Sequence, residues 1–261
     1  MQIIDQLGRS LSIDKIPLRI VSLVPSQTEL LVDLGLSDRI VGITKFCVHP
    51  KNLRNDKVIV GGTKQVHYDK IIALEPDIIL CNKEENTKQM VLELKEITIV
   101  HVSNVRTVSQ SLNLIIQYGE IFNVSKIASD LVIEIKRSRN SFKNKVNLLQ
   151  KNKKVGYLIW KDPMMVAGSD TFIDDMLREI GLENAFKEYD GRYPVIQLEN
   201  IKNLDYVFLS SEPFPFNYKQ LDFFQKNTTG KVLLVDGEYF SWYGSRLLFT
   251  YGYFEKLISK L

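Results

Sequence analysis

Between residues 124 and 150 the chain reads VSKIASDLVIEIKRSRNSFKNKVNLLQ, a stretch without glycine or proline. Its apolar residues recur at spacings of mostly three, four or seven, as on one face of a helix. They are Val124, Ile127, Leu131, Ile135, Phe142, Val146 and Leu149. The pattern predicts one helix over 124–150, about 40 Å long. The basic run KNKK at 151–154 favours a helix end there, because cations stabilise the C-terminal end of the helix dipole.

Short strands alternate with helices before this segment. Residues 2–13 predict a hairpin that turns at Leu7-Gly8. The run RIVSLV at 19–24 predicts a buried strand, and the next helix is expected to have Ser26 or Thr28 as its cap and to end at Gly35. Further strands are predicted at 39–44, 57–62, 77–82 and 97–103, and further helices at 68–76, 86–96 and 107–122. Such alternation is typical of a mainly parallel sheet with helices on both faces.

The same alternation resumes after the long helix. Strands are predicted at 154–160, 205–210 and 231–237, and helices at 170–182, 197–204, 218–226 and 244–260. Asp170 or Thr171 is expected to cap the helix at 170–182, which should stop at Gly181. We therefore predict an α/β fold: two doubly wound α/β lobes with mainly parallel central sheets, joined by a single long α-helix. The expected boundaries are 1–122 for the N-terminal lobe, 123–152 for the connecting helix and 153–261 for the C-terminal lobe.

Composition excludes several classes of protein. Apolar residues make up 44% and charged residues 25% of the 261 residues, which argues against a largely disordered chain. The net charge of +3 is too small to indicate nucleic acid or an anionic membrane as a partner. Two cysteines exclude a disulfide-rich scaffold and a four-cysteine metal site.

The first residues, MQIIDQLGRS, lack the basic and apolar regions of a secretory signal. Two interpretations stay open: the chain remains in the cytoplasm, or it is a mature or trimmed form of an exported protein. The apolar runs also fall far short of the roughly 20 residues that a membrane span needs.

No motif of a known catalytic site occurs in the sequence. It contains no GxSxG nucleophile elbow, no GxGxxG dinucleotide loop and no P-loop. The run AGSD at 167–170 is interpreted as a turn before a helix. We therefore expect a protein that is not an enzyme.

Aromatic residues concentrate where strands of the second lobe are predicted to end. Four follow the strand at 231–237, and two lie on other loops: Tyr239, Phe240, Trp242 and Tyr243, with Trp160 and Tyr193. Ligands of open α/β sheets bind beyond the carboxyl ends of the strands, where loops are normally polar. The cluster therefore predicts a ring-lined pocket. The alternative is that the rings pack under the loops as part of the core.

Four potential metal ligands fall near strand ends of the first lobe, namely Cys47, His49, His67 and Cys81. Thiolate and imidazole bind zinc, but the Cys47-x-His49 spacing matches no established ligand motif. We therefore interpret these residues as buried thiols and ordinary histidines, and expect His101 to pack inside its strand. Whether Cys47 and Cys81 pair with each other or bind metal stays open.

Three segments together resemble the substrate-binding proteins of ABC importers. They are RIVSLVPSQTELLVDLGLSDRIVGITKFCVHP at 19–50, VGGTKQVHYDKIIALEPDIIL at 60–80 and MVAGSDTFIDDMLREIGLENAF at 165–186. The resemblance is to the class of vitamin B12-, siderophore- and haem-binding proteins, the helical backbone metal receptors. It implies two lobes joined by one rigid helix, with a metal chelate (cobalamin, a ferric siderophore or haem) held in the cleft between them. It also implies a monomeric periplasmic protein without intrinsic cofactor that delivers its ligand to ABC transporter permease subunits.

The resemblance also implies ligand-binding residues. Phe46, Tyr193 and Tyr239 stand where vitamin B12-binding relatives carry aromatic residues. Thr63 and Asn82 stand where those relatives carry tryptophans, which weakens the assignment of cobalamin.

Two tryptophans elsewhere in the chain are expected to replace the aromatic contacts that are missing at Thr63 and Asn82. They are Trp160 and Trp242, on loops of the second lobe. Arg246 lies near a family arginine at the cleft mouth, and is expected to pair with an anionic group of the ligand. The complete predicted ligand-binding set is Phe46, Lys64, Asn82, Trp160, Tyr193, Tyr239, Trp242 and Arg246.

One acidic residue on each lobe corresponds to an acid that pairs with permease arginines in the resembling family. These residues are Asp69, two residues before the run IIAL, and Glu199 in the run QLEN. Without the resemblance, each would be interpreted as a solvated carboxylate in a first helical turn. With it, both are predicted to dock on the permease.

Two alternative functions stay open at this point. A receptor for a bare metal ion would need three or four converging ligands, for which only Cys47, His49, His67 and Cys81 offer themselves. An enzyme or a cytoplasmic chelate-handling protein would agree with the missing signal sequence.

Overall fold

The computed structural model of the chain describes residues 1–145 and 153–261. Their contacts divide the chain into two units. The first contains Met1–Val105, Ser109–Ile135 and Tyr243–Arg246, and the second contains Arg106–Val108, Lys136–Trp242 and Leu247–Leu261. Each unit is built around a mainly parallel sheet, which confirms the predicted α/β fold class.

Seven strands belong to the first unit. They are β1 (Gln2–Ile4), β2 (Ser10–Ser12), β3 (Ile20–Ser22), β4 (Ile40–Ile43), β5 (Val58–Ile59), β6 (Ile78–Asn82) and β7 (Ile99–Ser103). The first two form the predicted antiparallel hairpin, and the other five form a parallel sheet in the order β5-β4-β3-β6-β7. Every residue of β3 and β6 is buried, as expected for central strands covered on both faces.

Six helices lie in the same half of the chain. They are α1 (Pro25–Asp33), α2 (Leu53–Asp56), α3 (Tyr68–Ala73), α4 (Lys88–Leu94), α5 (Val108–Ile121) and α6 (Ser125–Lys145). The short helix α2 was not predicted. The start of α1 differs from the prediction, because Pro25 occupies the first turn and the N-cap is Val24. Ser26 and Thr28 therefore lie inside the helix and do not cap it, whereas Gly35 terminates it with a φ of +77° as predicted.

Helix α6 begins one residue after the predicted start and is described as far as Lys145. The remainder of the predicted helix, with Val146, Leu149 and the beginning of the KNKK run, lies outside the described residues. Its buried positions also differ from the predicted stripe, since Ile127 is exposed and Ala128 is buried instead. A Cβ at Gly119 of α5 would lie 2.6 Å from the Ala128 Cβ, so this close helix contact requires glycine. Neither α6 nor any other helix in the described residues is long and apolar enough to cross a bilayer.

The sheet of the second unit is also mainly parallel. Its strands are β8 (Lys154–Trp160), β9 (Met165–Val166), β10 (Glu183–Asn184), β11 (Tyr206–Ser210) and β12 (Lys231–Val235). The order is β10-β8-β11-β12, and β9 pairs antiparallel with β8. Strands β9 and β10 were not predicted, because two residues carry too little pattern to indicate a strand.

The helices of the second unit lie close to their predicted positions. They are α7 (Phe172–Glu179), α8 (Tyr218–Lys226), α9 (Glu238–Ser241) and α10 (Leu247–Ile258), with a short 3-10 helix at Leu198–Ile201. The Thr171 hydroxyl caps α7 by accepting a hydrogen bond from the Asp174 amide at 3.1 Å. Helix α9 was not predicted, and it changes the interpretation of the aromatic residues that follow β12.

The segment Tyr243–Arg246 differs from the predicted division of the chain. It was expected in the C-terminal lobe, but it belongs to the first unit. The Tyr243 hydroxyl accepts hydrogen bonds from the side-chain amides of Gln27 and Asn82, which both belong to the first unit. Local sequence pattern cannot reveal this placement, because the partners lie far away along the chain.

Candidate ligand-binding site

Three loops meet at the carboxyl end of the first unit's sheet, the edge at which open α/β sheets bind ligands. The loops follow β4, β5 and β6. Hydrogen bonds join them: the Lys45 amide donates to the Gly61 carbonyl at 2.8 Å, and the Lys64 ammonium donates to the Glu84 carbonyl at 2.5 Å. The sheet thus holds the loops in a defined arrangement.

Phe46 presents its ring at this edge, where the sequence predicted a ligand-binding aromatic residue. The side chain is 48% exposed, and the Lys45 ammonium lies 5.1 Å from the ring centroid. A Cβ at Gly62 would lie 3.2 Å from the Phe46 Cε2 atom, tighter than an ordinary contact, so the ring rests where glycine leaves room. Phe46 is therefore available to pack against a ligand.

Asn82 lies under this edge in a buried hydrogen-bond network. Its Nδ2 atom donates to the Tyr243 hydroxyl at 2.8 Å and to the Ser103 hydroxyl at 3.1 Å. Its Oδ1 atom accepts from the Glu84 amide at 2.7 Å. Asn82 was predicted to contact ligand, but these bonds and its burial indicate that it shapes the loop after β6.

Tyr243 is a member of the same network and not an exposed pocket residue. The Gln27 amide donates to its hydroxyl at 2.9 Å, and the Tyr118 hydroxyl donates to the Gln27 Oε1 atom at 2.7 Å. Burial, and then the charge of Glu85, raise the pKa of the Tyr243 phenol, so it stays protonated. Gln27 and Tyr118 were not predicted to have any role.

Arg246 forms a buried ion pair with Glu29. Its Nε and Nη2 atoms lie 2.9 and 2.6 Å from the two carboxylate oxygens, and the residue is 8% exposed. Burial raises the pKa of the Glu29 carboxyl, although Arg246 acts to lower it. The guanidinium was predicted to pair with a ligand anion, but it is bonded to a carboxylate of its own chain.

The potential metal ligands do not form a site. Among the residues that the structure describes, no group of three or more His, Cys, Asp or Glu side chains is placed to hold a metal ion. Cys47 and Cys81 are free, buried thiols, and burial raises the pKa of Cys81 to about 12. His67 is exposed, whereas His101 packs inside its strand, with its Nε2 atom 2.7 Å from the Gln117 Oε1 atom. The bare-ion alternative therefore lacks a ligand set in the described part of the chain.

Trp160 is the exposed tryptophan of the second unit. It ends β8, is 39% exposed, and donates from Nε1 to the Asp162 carbonyl at 3.0 Å. Its ring meets Phe214 edge-on with centroids 5.6 Å apart, and Phe214 packs in turn on Phe216 at 4.7 Å. Trp160 is thus a supported, partly exposed ring at the carboxyl end of a central strand.

The aromatic run after β12 is mostly buried, whereas the sequence predicted that it would line a pocket. Helix α9 turns Phe240 inward, where it is fully buried against Tyr157 and Phe254 with centroids 5.0 and 4.9 Å apart. Trp242 is 8% exposed and donates from Nε1 to the Glu212 carboxylate at 3.0 Å. Tyr239 is half-buried and stacks on Tyr253.

Glu212 is a half-buried carboxylate for which the sequence predicted no role. Its Oε1 atom accepts hydrogen bonds from the Ser241 hydroxyl at 2.5 Å and from Trp242. Burial raises the pKa of Glu212 despite these bonds, and Glu238 adds to the rise. The loop that contains Glu212 also contains Phe214, so one loop supports both Trp160 and Trp242.

The predicted ligand-binding residues fall into two groups. Phe46, Lys64, Asn82 and Arg246 lie in the first unit, and Trp160, Tyr193, Tyr239 and Trp242 lie in the second. Tyr193 is half-buried, beside a segment whose Arg192 carbonyl accepts from the Gly168 amide at 2.8 Å. Phe46 and Trp160 are the two most exposed aromatic rings of the predicted set.

Asp69 and Glu199, the predicted docking residues, are both exposed. Asp69 is the second residue of α3. Glu199 lies in the 3-10 helix of the second unit, at a surface depression of about 320 Å³ that Lys202 and Lys226 also line. Both carboxylates are therefore accessible to a partner protein.

Comparison with known proteins relates the chain to transport proteins. The profile of a family described as periplasmic binding protein matches residues 20–230. An uncharacterized ABC transporter substrate-binding lipoprotein of Bacillus subtilis is 31% identical over 194 residues, which are 72% of this chain and 61% of that protein. A vitamin B12-binding protein of Vibrio campbellii is 22% identical over 186 residues, or 70% of this chain and 66% of that protein. Each match therefore spans less than two thirds of the relative's length.

A solved structure extends the likeness in fold to nearly the whole chain. It is a possible iron-binding (periplasmic solute-binding) protein of Staphylococcus epidermidis, which superposes with a TM-score of 0.78 at 24% identity. The superposition covers 94% of this chain and 99% of that one. At this level of identity the likeness concerns the fold alone.

Proposed function

The chain belongs to the periplasmic binding protein family, and we propose that it is the substrate-binding receptor of an ABC importer for a metal chelate. The observation that carries the proposal is an exposed aromatic ring at the carboxyl end of a strand in each unit. These rings are Phe46 after β4 and Trp160 at the end of β8. Macrocycles and chelates present flat apolar faces, on which such rings pack well.

The proposed ligands are cobalamin or an iron chelate, either a ferric siderophore or haem. The name of the Vibrio relative supports the first, and that of the Staphylococcus protein supports an iron compound. A bare metal ion is the less favoured ligand, because the described residues offer no group of three ligands for it. In this proposal the metal arrives inside the ligand, and the protein has no cofactor of its own.

Binding is expected to quench the fluorescence of Trp160 and to leave that of Trp242 nearly unchanged. These are the two tryptophans of the chain, and they differ in exposure, at 39% and 8%. Titration with cyanocobalamin, haemin and ferric chelates should therefore quench the wild-type protein and Trp242→Phe strongly. Trp160→Phe should keep its affinity, because phenylalanine still stacks, but should lose most of the quenching. Equal quenching in both variants would show that the ligand does not contact Trp160.

The proposed partners are the permease subunits of an importer, which Asp69 and Glu199 would contact. Reversal of both charges, Asp69→Lys with Glu199→Lys, is expected to lower uptake at least tenfold, because like charges then face the permease arginines. Ligand affinity should stay within about twofold, since surface substitutions of this kind leave a distant site intact. Uptake of labelled ligand by cells and equilibrium binding measure the two quantities.

A matched control uses exposed acids elsewhere, one in each unit. Glu96→Lys with Asp222→Lys makes the same change in net charge on other surfaces. It should leave uptake unchanged. Normal uptake by the Asp69→Lys, Glu199→Lys variant, or equal loss in the control, would contradict docking at these two positions.

We propose further that the protein acts outside the cytoplasmic membrane as a monomer. The name of its Bacillus relative, a lipoprotein, supports this location. We also retain the proposal that residues 123–152 form the connection between two lobes, 1–122 and 153–261, with Tyr243–Arg246 added to the first.

A further inference from the structure

Three lysines lie at the carboxyl end of the first unit's sheet, one after each of three strands. Lys45 follows β4, Lys64 lies in the turn after β5, and Lys83 follows β6 directly. All three side chains are exposed. Because the carboxyl ends of parallel strands meet at one edge, the three lysines share that edge with Phe46.

The positions of two of these ammonium groups are fixed by neighbours. The Lys64 ammonium donates one hydrogen to the Glu84 carbonyl at 2.5 Å, which leaves two hydrogens for another acceptor. The Lys45 ammonium lies 5.1 Å from the Phe46 ring centroid, beside the surface that the ring offers to a ligand. A ligand packed on Phe46 would therefore meet positive charge.

Nearby carboxylates only partly offset this charge. Glu84 and Glu85 follow β6 and are half-buried. They are two carboxylates beside three ammonium groups. Arg54 adds a fourth cation, with its Nη1 atom 3.1 Å from the Lys45 carbonyl oxygen. The edge thus carries an excess of positive charge.

We propose that this edge binds the negatively charged part of the ligand, so that the substrate is an anionic iron chelate and not a neutral corrinoid. The inference rests on the receptor function proposed above and names its substrate class. A neutral ligand packed on Phe46 would displace water from the ammonium groups without supplying a negative charge to compensate for the lost hydration. An anionic ligand replaces that water with ionic hydrogen bonds, which are stronger than neutral ones.

Two iron chelates of similar size and different charge test the inference. A ferric tris-catecholate is trianionic, and a ferric tris-hydroxamate is neutral. Equilibrium binding of each is measured to the full chain and to the triple variant Lys45→Gln, Lys64→Gln, Lys83→Gln. The control, Lys70→Gln, Lys88→Gln, Lys95→Gln, removes three exposed lysines of helices α3 and α4 and their flanks, with the same change in net charge.

The trianionic chelate is expected to bind the wild-type protein more tightly than the neutral one. Its affinity should fall about thirtyfold in the site variant, as three partly screened ion pairs are lost, and less than about threefold in the control. It should also weaken with added salt. Binding of both chelates with equal affinity, unaffected by the site variant, would overturn the charge preference and leave the receptor function standing. Absence of binding by either chelate, by haemin and by cyanocobalamin would overturn both proposals.

Discussion

The Arg246→Met variant is expected to have a free energy of unfolding about 3 kcal/mol lower than that of the wild-type chain at pH 7. The Arg246 guanidinium bonds both oxygens of Glu29, at 2.9 and 2.6 Å, and both side chains are largely buried. Removal of one partner leaves a buried charge without neutralisation, which is why the loss should be large. Urea unfolding followed by circular dichroism measures the difference.

The dependence of this loss on pH identifies its cause. Burial raises the pKa of Glu29 above its ordinary value of 4.5, and Arg246 limits the rise. A raised folded-state pKa means that the carboxyl stabilises the fold most below its unfolded pKa, and less as the pH rises through the folded value. Without Arg246 that pKa rises further, so the loss should be small in acid and grow from about pH 4.5 towards pH 7.

A second variant separates the unpaired charge from the lost packing. Glu29→Gln with Arg246→Met removes both charges and should recover most of the free energy of unfolding at pH 7. A loss of less than about 1 kcal/mol for Arg246→Met, equal at all pH values, would mean that the pair is exposed to solvent in the folded protein.

The Phe240→Ala variant is expected to lose about 4 kcal/mol of unfolding free energy. Phe240 is fully buried, and its ring contacts Tyr157, Phe208 and Phe254. Truncation to alanine removes buried apolar area and leaves a cavity that these neighbouring rings cannot fill completely. Chemical denaturation of the ligand-free protein measures the loss.

Trp160→Ala is the control for this prediction, because the sequence predicted both rings in one pocket, whereas Phe240 is fully buried and Trp160 is 39% exposed. Its ring is partly exposed at the end of β8, so truncation should cost less than about 1.5 kcal/mol of stability but should weaken chelate binding at least tenfold. If Phe240→Ala kept its stability and lost ligand affinity instead, Phe240 would be a pocket residue and not a core residue.

Elements with a regular pattern over many residues were predictable from the sequence. Strand β8 matches the predicted range 154–160 residue for residue, and α8 matches 218–226. Thr171, one of the two caps predicted for α7, does cap that helix, and its partner is the amide only three residues later. Such features depend on neighbours in the sequence, where periodicity and capping preference act.

The aromatic run at 238–243 shows where local pattern fails. Six residues are too few to distinguish a loop from a single helical turn, and α9 occupies four of them. The burial of Phe240 depends on Tyr157 and Phe254, which belong to other elements. The burial of Phe240, Trp242 and Tyr243 agrees with the alternative that these rings form part of the core.

Long-range partners explain why two residues that were predicted to face ligand bond other side chains of the chain instead. The Asn82 amide bonds the Tyr243 hydroxyl 161 residues later, and Arg246 bonds Glu29 217 residues earlier. A polar residue at a strand end can face ligand or interior, and only the tertiary partner decides between them. Gln27 completes the hydrogen-bond network around Tyr243, and no local pattern in the sequence indicates this role.

Dissection of this protein into separately expressed lobes cannot be achieved with a single cut. The tetrapeptide YGSR at 243–246 belongs to the first unit, although the residues on either side of it belong to the second. A fragment that stops at Ile135 would leave the amide groups of Gln27 and Asn82 without the phenol that lies 2.9 and 2.8 Å away. Production of an autonomous N-terminal lobe therefore requires that these four residues be grafted back through an artificial tether.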